Sequence, residues 1–192
     1  MKKLTFIFLL MFAVLITASG QFSGIGGGIT LSSGFRFHDQ AMEGNKSGTI
    51  GVSLKSVYKI SDPFQISPSF TFFYPHVTNG SLSKQSISSM MFDINGQYIL
   101  NPTGRIEFYG LAGLDILFAA NKYSSGGSPS SKETDNALGL NFGIGTSLKI
   151  TEIFDIYGEA KYVFNNKYNQ FMINAGILFS INLMKKPENS VY

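Results

Sequence analysis

Hydrolytic chemistry in this chain would have to come from histidine, hydroxyl and carboxylate side chains, and few are placed to do it. Acyl transfer needs a base within reach of a hydroxyl nucleophile, and an acid to orient the base. The 192 residues contain two histidines, His38 and His76. His76 is followed by Val77 and Thr78, with no carboxylate close by in the chain, so a His-x-Ser pair is not formed. Cysteine is absent, which excludes thiol catalysis, Cys-based zinc sites and disulfides. No group of His, Asp and Glu has metal-ligand spacing. The glycine run Gly24 to Gly28 is not followed by Lys-Ser/Thr or by a helical pattern, so it does not cradle phosphate; glycine in a tightly curved strand accounts for it. These residues point to no catalytic group, no metal and no cofactor.

The ionic side chains carry more information, because their spacing is regular. From Gln21 onward apolar residues recur at every second position, the period of a strand. The clearest runs are Phe171, Ile173, Ala175, Ile177, Phe179, Ile181, Leu183 and Ile106, Phe108, Gly110, Ala112, Leu114, Ile116, Phe118. Eight such spans are expected, over about 22–37, 48–60, 64–76, 89–100, 105–118, 137–150, 155–164 and 171–183. Their charged residues are Arg36, Lys55, Lys59, Asp93, Arg105, Glu107, Asp115, Lys149, Asp155, Glu159 and Lys161, and every one falls on the parity opposite the apolar stripe.

The connections alternate in length. Ser61-Asp62-Pro63, Asn101-Pro102-Thr103-Gly104 and Thr151-Glu152-Ile153-Phe154 are tight, with Pro fixing φ and Asx side chains capping the backbone. Those over about 38–47, 77–88, 120–136 and 165–169 are polar and generally longer. An even number of amphipathic strands joined by turns at one rim and loops at the other predicts an all-β, eight-stranded antiparallel up-and-down barrel.

Which face meets water decides the solvent. Charged residues make up only 14% of the chain, thin for a soluble exterior, while 44% are hydrophobic and 14% aromatic. The non-apolar parity holds mostly Gly, Ser, Thr and Asn with six basic and five acidic residues, a composition suited to a narrow lumen. Ten residues per strand, tilted near 45°, span roughly 23–25 Å, the height of an apolar membrane band. The expected structure is therefore a transmembrane β-barrel. A lipocalin-like soluble barrel is the rival, and would be a detergent-independent periplasmic monomer.

The N-terminus supports export. Lys2 and Lys3 precede an apolar stretch from Leu4 to Ala18, too short to span a bilayer as a helix, and Ala18-Ser19-Gly20 supplies small residues before a cleavage site at Gln21. The expected organisation is a signal peptide over 1–20, a barrel over 21–184 and a short periplasmic tail over 185–192. Cleavage leaves 13 basic against 12 acidic residues, which gives no electrostatic reason to bind nucleic acid.

The mature chain resembles the small eight-stranded outer-membrane barrels typified by OmpX and the transmembrane domain of OmpA. The resemblance covers nearly all of the mature sequence and includes a closing-strand signal matched by Asn174, Gly176, Phe179 and Ile181. It implies recognition by the barrel-assembly machinery. The tail beyond Lys185 departs from members that stop at a terminal aromatic. An eight-stranded barrel is only wide enough inside for side chains, so Lys55, Arg105, Lys149 and Lys161 are expected to meet Asp93, Glu107, Asp115 and Glu159 in a lumen network with Tyr109 and Tyr157.

The expected protein is a monomeric, non-enzymatic multi-pass barrel of the bacterial cell outer membrane. It would contact outer-membrane lipids and lipopolysaccharide, and would serve a structural role or bind an unidentified extracellular ligand through its loops. A small porin or lipid-binding barrel is the alternative. A lipid-modifying enzyme similar to the PagL deacylases is a further one, from which His76-Val77-Thr78 departs at the nucleophile.

Overall fold

In a computed structural model, residues 22–33, 49–79, 83–125, 131–165 and 169–181 are described. The expected signal peptide, His38, Arg36 and the tail lie outside these residues. Eight strands follow in order: β1 (Phe22–Ser32), β2 (Thr49–Ser61), β3 (Phe64–Asn79), β4 (Ser83–Ile99), β5 (Ile106–Ser125), β6 (Ser131–Lys149), β7 (Phe154–Asn165) and β8 (Gln170–Ser180). Each pairs antiparallel with its sequence neighbours, and β1 pairs with β8, so the sheet closes on itself with no free edge along the wall. No helix among the described residues is long and apolar enough to cross a membrane.

The three tight connections join β2 to β3, β4 to β5 and β6 to β7, and they share one rim, the turn end. Side-chain caps hold two of them. Asn101 accepts the Phe108 N–H at 2.7 Å through Oδ1, and Thr151 Oγ1 accepts the N–H groups of Ile153 and Phe154, each at 3.1 Å. The remaining connections mark the loop end.

Four strands run three or more residues further than their alternation predicts, β3 among them in reaching Asn79. β4 starts at Ser83, β5 continues to Ser125 and β6 begins at Ser131, so most of the expected loops over 77–88 and 120–136 is paired sheet. Lys84, Ser86, Lys122, Ser124, Lys132 and Thr134 occupy the outer face of this extension. With the outer face polar and the inner one mostly so, the period-two signal fades, while the backbone ladder continues unbroken from Asn121↔Glu133 to Tyr123↔Ser131.

The wall is dressed apolar outside. Ile29, Leu54, Phe72, Phe108, Leu114, Leu138, Ile144, Ile177 and Phe179 are all exposed. A water-soluble monomer does not present so continuous an apolar surface. Aromatic pairs ring both ends: Phe22 with Tyr58 and Phe64 with Tyr98 at the turn end, Tyr162 with Phe164 at the loop end, at centroid distances of 4.9, 5.1 and 4.5 Å.

Candidate functional site

The opposite parity fills the interior, and it is stratified. Near the loop end Phe73, Ile87, Met91, Leu117, Ala119, Ala137, Val163 and Met172 pack into one buried apolar layer. Gln170 sits against it, donating to Met91 Sδ at 3.9 Å and accepting from the Ser32 hydroxyl at 2.6 Å. Parity alone does not separate this layer from the polar lumen. Its signal is the local loss of alternation in Phe70-Thr71-Phe72-Phe73 and Met90-Met91-Phe92, where both faces of the strand are apolar.

Below this layer lies an ionic belt. Lys55 of β2 pairs with Glu159 of β7, both buried. These strands are not neighbours, so the pair is a strut across the lumen. Glu159 also accepts the Tyr109 hydroxyl at 2.9 Å and the Gln97 amide at 3.1 Å. The Lys55 ammonium stands 4.8 Å from the Tyr157 ring centroid and 5.6 Å from that of Tyr109, a cation–π cage.

Glycine makes this reach possible. Gly145 is in register with both Tyr109 and Glu159, and a Cβ there would fall 2.4 Å from the Tyr109 ring. The tyrosine lies flat across the missing side chain to reach the carboxylate one strand further on.

A second group is built on β4, β5 and β7. Asp93 accepts from Lys161 Nζ at 2.9 Å, from the Ser69 hydroxyl at 2.9 Å and from the Asn95 amide. Asp115 stands opposite Asp93 in the β4–β5 register and is equally buried, yet neither of its oxygens meets a protein donor. Asn141 and the Asn95 carbonyl oxygen are likewise without protein partners. Asn95, Gln97 and Asn141 also occupy the inward parity and are buried, but as uncharged side chains they carry no signal that sets them apart from the rest of that face.

Arg105, Glu107 and Lys149 are not within this closed interior. Arg105 is exposed just before β5, where its Nε donates to the Lys149 carbonyl at 3.3 Å, and Lys149 pairs with Glu107 at 2.6 Å beside open solvent. Glu107 and Lys149 line a vestibule of about 280 Å³ at the turn end, together with Lys55, Gln97, Tyr109 and Tyr157. Residues this close to a strand end keep the inward parity but have lost the wall around them.

Of the closing-strand residues, Asn174 is buried inside and accepts from the Ser53 hydroxyl at 3.1 Å. Gly176 faces inward against Gly28, where a Cβ would fall 2.2 Å from the Gly27 carbonyl oxygen. Phe179 is exposed on the outer wall and contacts Phe154 at 6.5 Å. Ile181 follows β8 and donates its N–H to the Ser23 carbonyl at 3.0 Å, fastening the seam with β1.

Among the described residues no group of His, Cys, Asp and Glu could hold a metal. His76 is paired in β3 opposite Ile87.

The family model described as outer membrane protein beta-barrel domain matches residues 4–180. Among solved structures the fold is similar to Ail, the attachment invasion locus protein of Yersinia pestis, at 18% identity and a TM-score of 0.59, covering 84% of this chain and 99% of that one. Ail in complex with the heparin analogue sucrose octasulfate gives a TM-score of 0.60 at 17% identity, with the same coverage of 84% and 99%. Neisserial surface protein A, NspA, is similar at 15% identity and a TM-score of 0.57, covering 84% of this chain and 97% of that one. No curated protein matches the sequence. Identities this low speak for the fold alone.

Proposed function

The chain belongs to the outer membrane protein β-barrel family, and from that premise we propose that it is a plugged, non-enzymatic barrel of the bacterial outer membrane that serves the envelope as a structural or surface-interacting element. The observation that carries this reading is the sealed lumen: an apolar layer around Phe73, Met91 and Leu117 above the transverse Lys55–Glu159 pair. A solute would have to cross a dry hydrophobic layer and then separate a buried ion pair. Removing one partner of such a pair costs about 3–5 kcal/mol. Single-channel recording of the mature protein in planar bilayers tests the plug. No stable large conductance is expected, and a large, persistent one would establish the porin alternative.

The remaining assignments belong to the same proposal. Residues 1–20 are a cleaved signal peptide, residues 21–184 the barrel and 185–192 a periplasmic tail, with the turn end facing the periplasm. Asn174, Gly176, Phe179 and Ile181 form the signal read by the assembly machinery. Lys55, Asp93, Asp115, Glu159 and Lys161 hold the interior, with Glu107, Lys149 and Arg105 at its periplasmic mouth. The barrel is a monomer.

Contact with lipopolysaccharide draws support from the outer face of the extended sheet. Lys122 and Lys132 are paired in register there, Lys84 lies one strand away, and all three are exposed beyond the apolar band. Glu133 and Asp135 fall on the other parity. On this reading the three cations would meet lipid phosphates. Ail is found in complex with the heparin analogue sucrose octasulfate, and an anionic ligand of this chain would meet the same cations. Lipid A from expressing cells keeps its acyl chains on this reading. Chain loss abolished by His76→Ala would identify a hydrolase instead.

A further inference from the structure

The fully buried ionic groups among the described residues do not balance. Lys55 and Lys161 supply two positive charges, while Asp93, Asp115 and Glu159 supply three negative ones. Both lysines are spoken for: Lys55 pairs with Glu159, and Lys161 pairs with Asp93. The surplus charge falls on Asp115, the one of the three carboxylates with no protein donor, and a buried carboxylate without one is costly unless a proton or a cation neutralises it.

The surroundings of Asp115 are oxygen-rich. Gly113, two residues before it on β5, lies in register between Asn95 of β4 and Asn141 of β6. The Asn95 carbonyl oxygen projects over this glycine, where a Cβ would fall 2.4 Å from it. That orientation is enforced, because the Asn95 amide nitrogen is committed to Asp93. The Asp115 carboxylate lies over Gly139, the in-register neighbour on β6 two residues before Asn141, where a Cβ would fall 2.7 Å from Oδ1 and 3.0 Å from Oδ2. Asn141 is 0% exposed, and neither atom of its amide meets a protein partner. Gly113 and Gly139 thus clear space beside the Asn95 oxygen and the Asp115 carboxylate, with the unpartnered Asn141 amide in register with the first glycine and two residues along β6 from the second.

We propose that the barrel interior holds a monovalent cation of the sodium class between the Asp115 carboxylate and the amide oxygens of Asn95 and Asn141. Carboxylate and amide oxygens are hard donors, matched to hard cations. Single charge follows from the balance: a monovalent ion brings the buried groups to neutrality, whereas a divalent ion would leave a positive excess. The apolar layer above and the Lys55–Glu159 strut below enclose the ion, which makes it a structural element of the plug and not a solute in transit.

The test is the thermal unfolding of the purified barrel in detergent, read as loss of the fast-migrating folded band, in sodium chloride and in choline chloride at equal ionic strength. Choline is too large for the site and controls for screening. The wild-type midpoint is expected to rise with sodium and, above the dissociation constant, to keep rising with the logarithm of its concentration, as it does for any ligand bound only by the folded state. Asp115→Asn removes the surplus charge and is expected to unfold at the same temperature in both salts. Asn141→Ala, which takes away one neutral ligand, should shift the sodium response to higher concentration and provides a second arm if Asp115→Asn does not fold. Equal wild-type midpoints in sodium and choline would overturn the proposal, as would an unchanged sodium response in Asp115→Asn.

Discussion

Lys55 and Glu159 join across the lumen from β2 and β7, two strands separated by β8 and β1 around the wall. A bond between adjacent strands would merely reinforce the ladder. This one ties opposite sides of the cylinder together and sets its cross-section, with Tyr109 and Gln97 occupying further lone pairs of the same carboxylate.

Breaking the strut from one side is expected to be severe. Lys55→Met leaves Glu159 buried without its cation, and urea unfolding in lipid vesicles should register a loss of about 3–5 kcal/mol. The double variant Lys55→Met/Glu159→Met should recover most of that loss. Additive losses would show that the two residues do not act as a pair.

Gly145→Val addresses the reach of Tyr109. The added side chain would occupy the space of the tyrosine ring, displacing its hydroxyl from Glu159. A destabilisation of about 1–3 kcal/mol from overpacking is expected. Combining it with Tyr109→Ala should relieve part of this, and no relief in that combination would count against the contact.

The outer wall predicts a depth-dependent response. Leu114→Arg, near the middle of β5, should lower stability in bilayers by about 2–4 kcal/mol, and Ile106→Arg at the turn-end rim by about 0–1 kcal/mol. Equal effects in vesicle unfolding would mean that the two positions do not differ in lipid depth.

Assembly in cells should separate from folding in vitro at Phe179. Its side chain faces outward and contributes little to the interior, so Phe179→Ser should refold in detergent nearly as well as the wild type. In cells its outer-membrane yield, scored by fractionation, should drop markedly. A normal yield would remove Phe179 from the assembly signal.

Much of this architecture could be read from the sequence wherever the two faces of a strand differ. Alternation in 106–118 and 171–183 located strands whose outer residues are now seen exposed, and turn chemistry at Asn101 and Thr151 located their ends. Where both faces are alike the signal is lost. The polar extensions of β4, β5 and β6 looked like loops because backbone pairing leaves no trace in side-chain polarity. The apolar layer was hidden because Phe73, Met91 and Leu117 share their segments with outward apolar neighbours. Parity named the inward charges but not their depth, which is why Arg105 and Lys149 were expected among groups that lie deeper. The choice of partners was equally illegible: Asp93 and Asp115 have the same type, parity and row, and only the three-dimensional arrangement brings Lys161, Ser69 and Asn95 to the first and not the second.

The membrane assignment rests on which side of the wall each β5 residue occupies, and the absence of native cysteine permits a direct measurement. Single cysteines at 108, 109, 114, 115, 116 and 117, spin-labelled in lipid vesicles, report oxygen and water-soluble relaxant access by electron paramagnetic resonance. Strong oxygen access is expected at 108, 114 and 116 and little at 109, 115 and 117, with 109 alone of these three reached by the water-soluble relaxant through the vestibule. Lipid-like oxygen access at 109, 115 and 117, with 108, 114 and 116 shielded or wet, would contradict the membrane assignment.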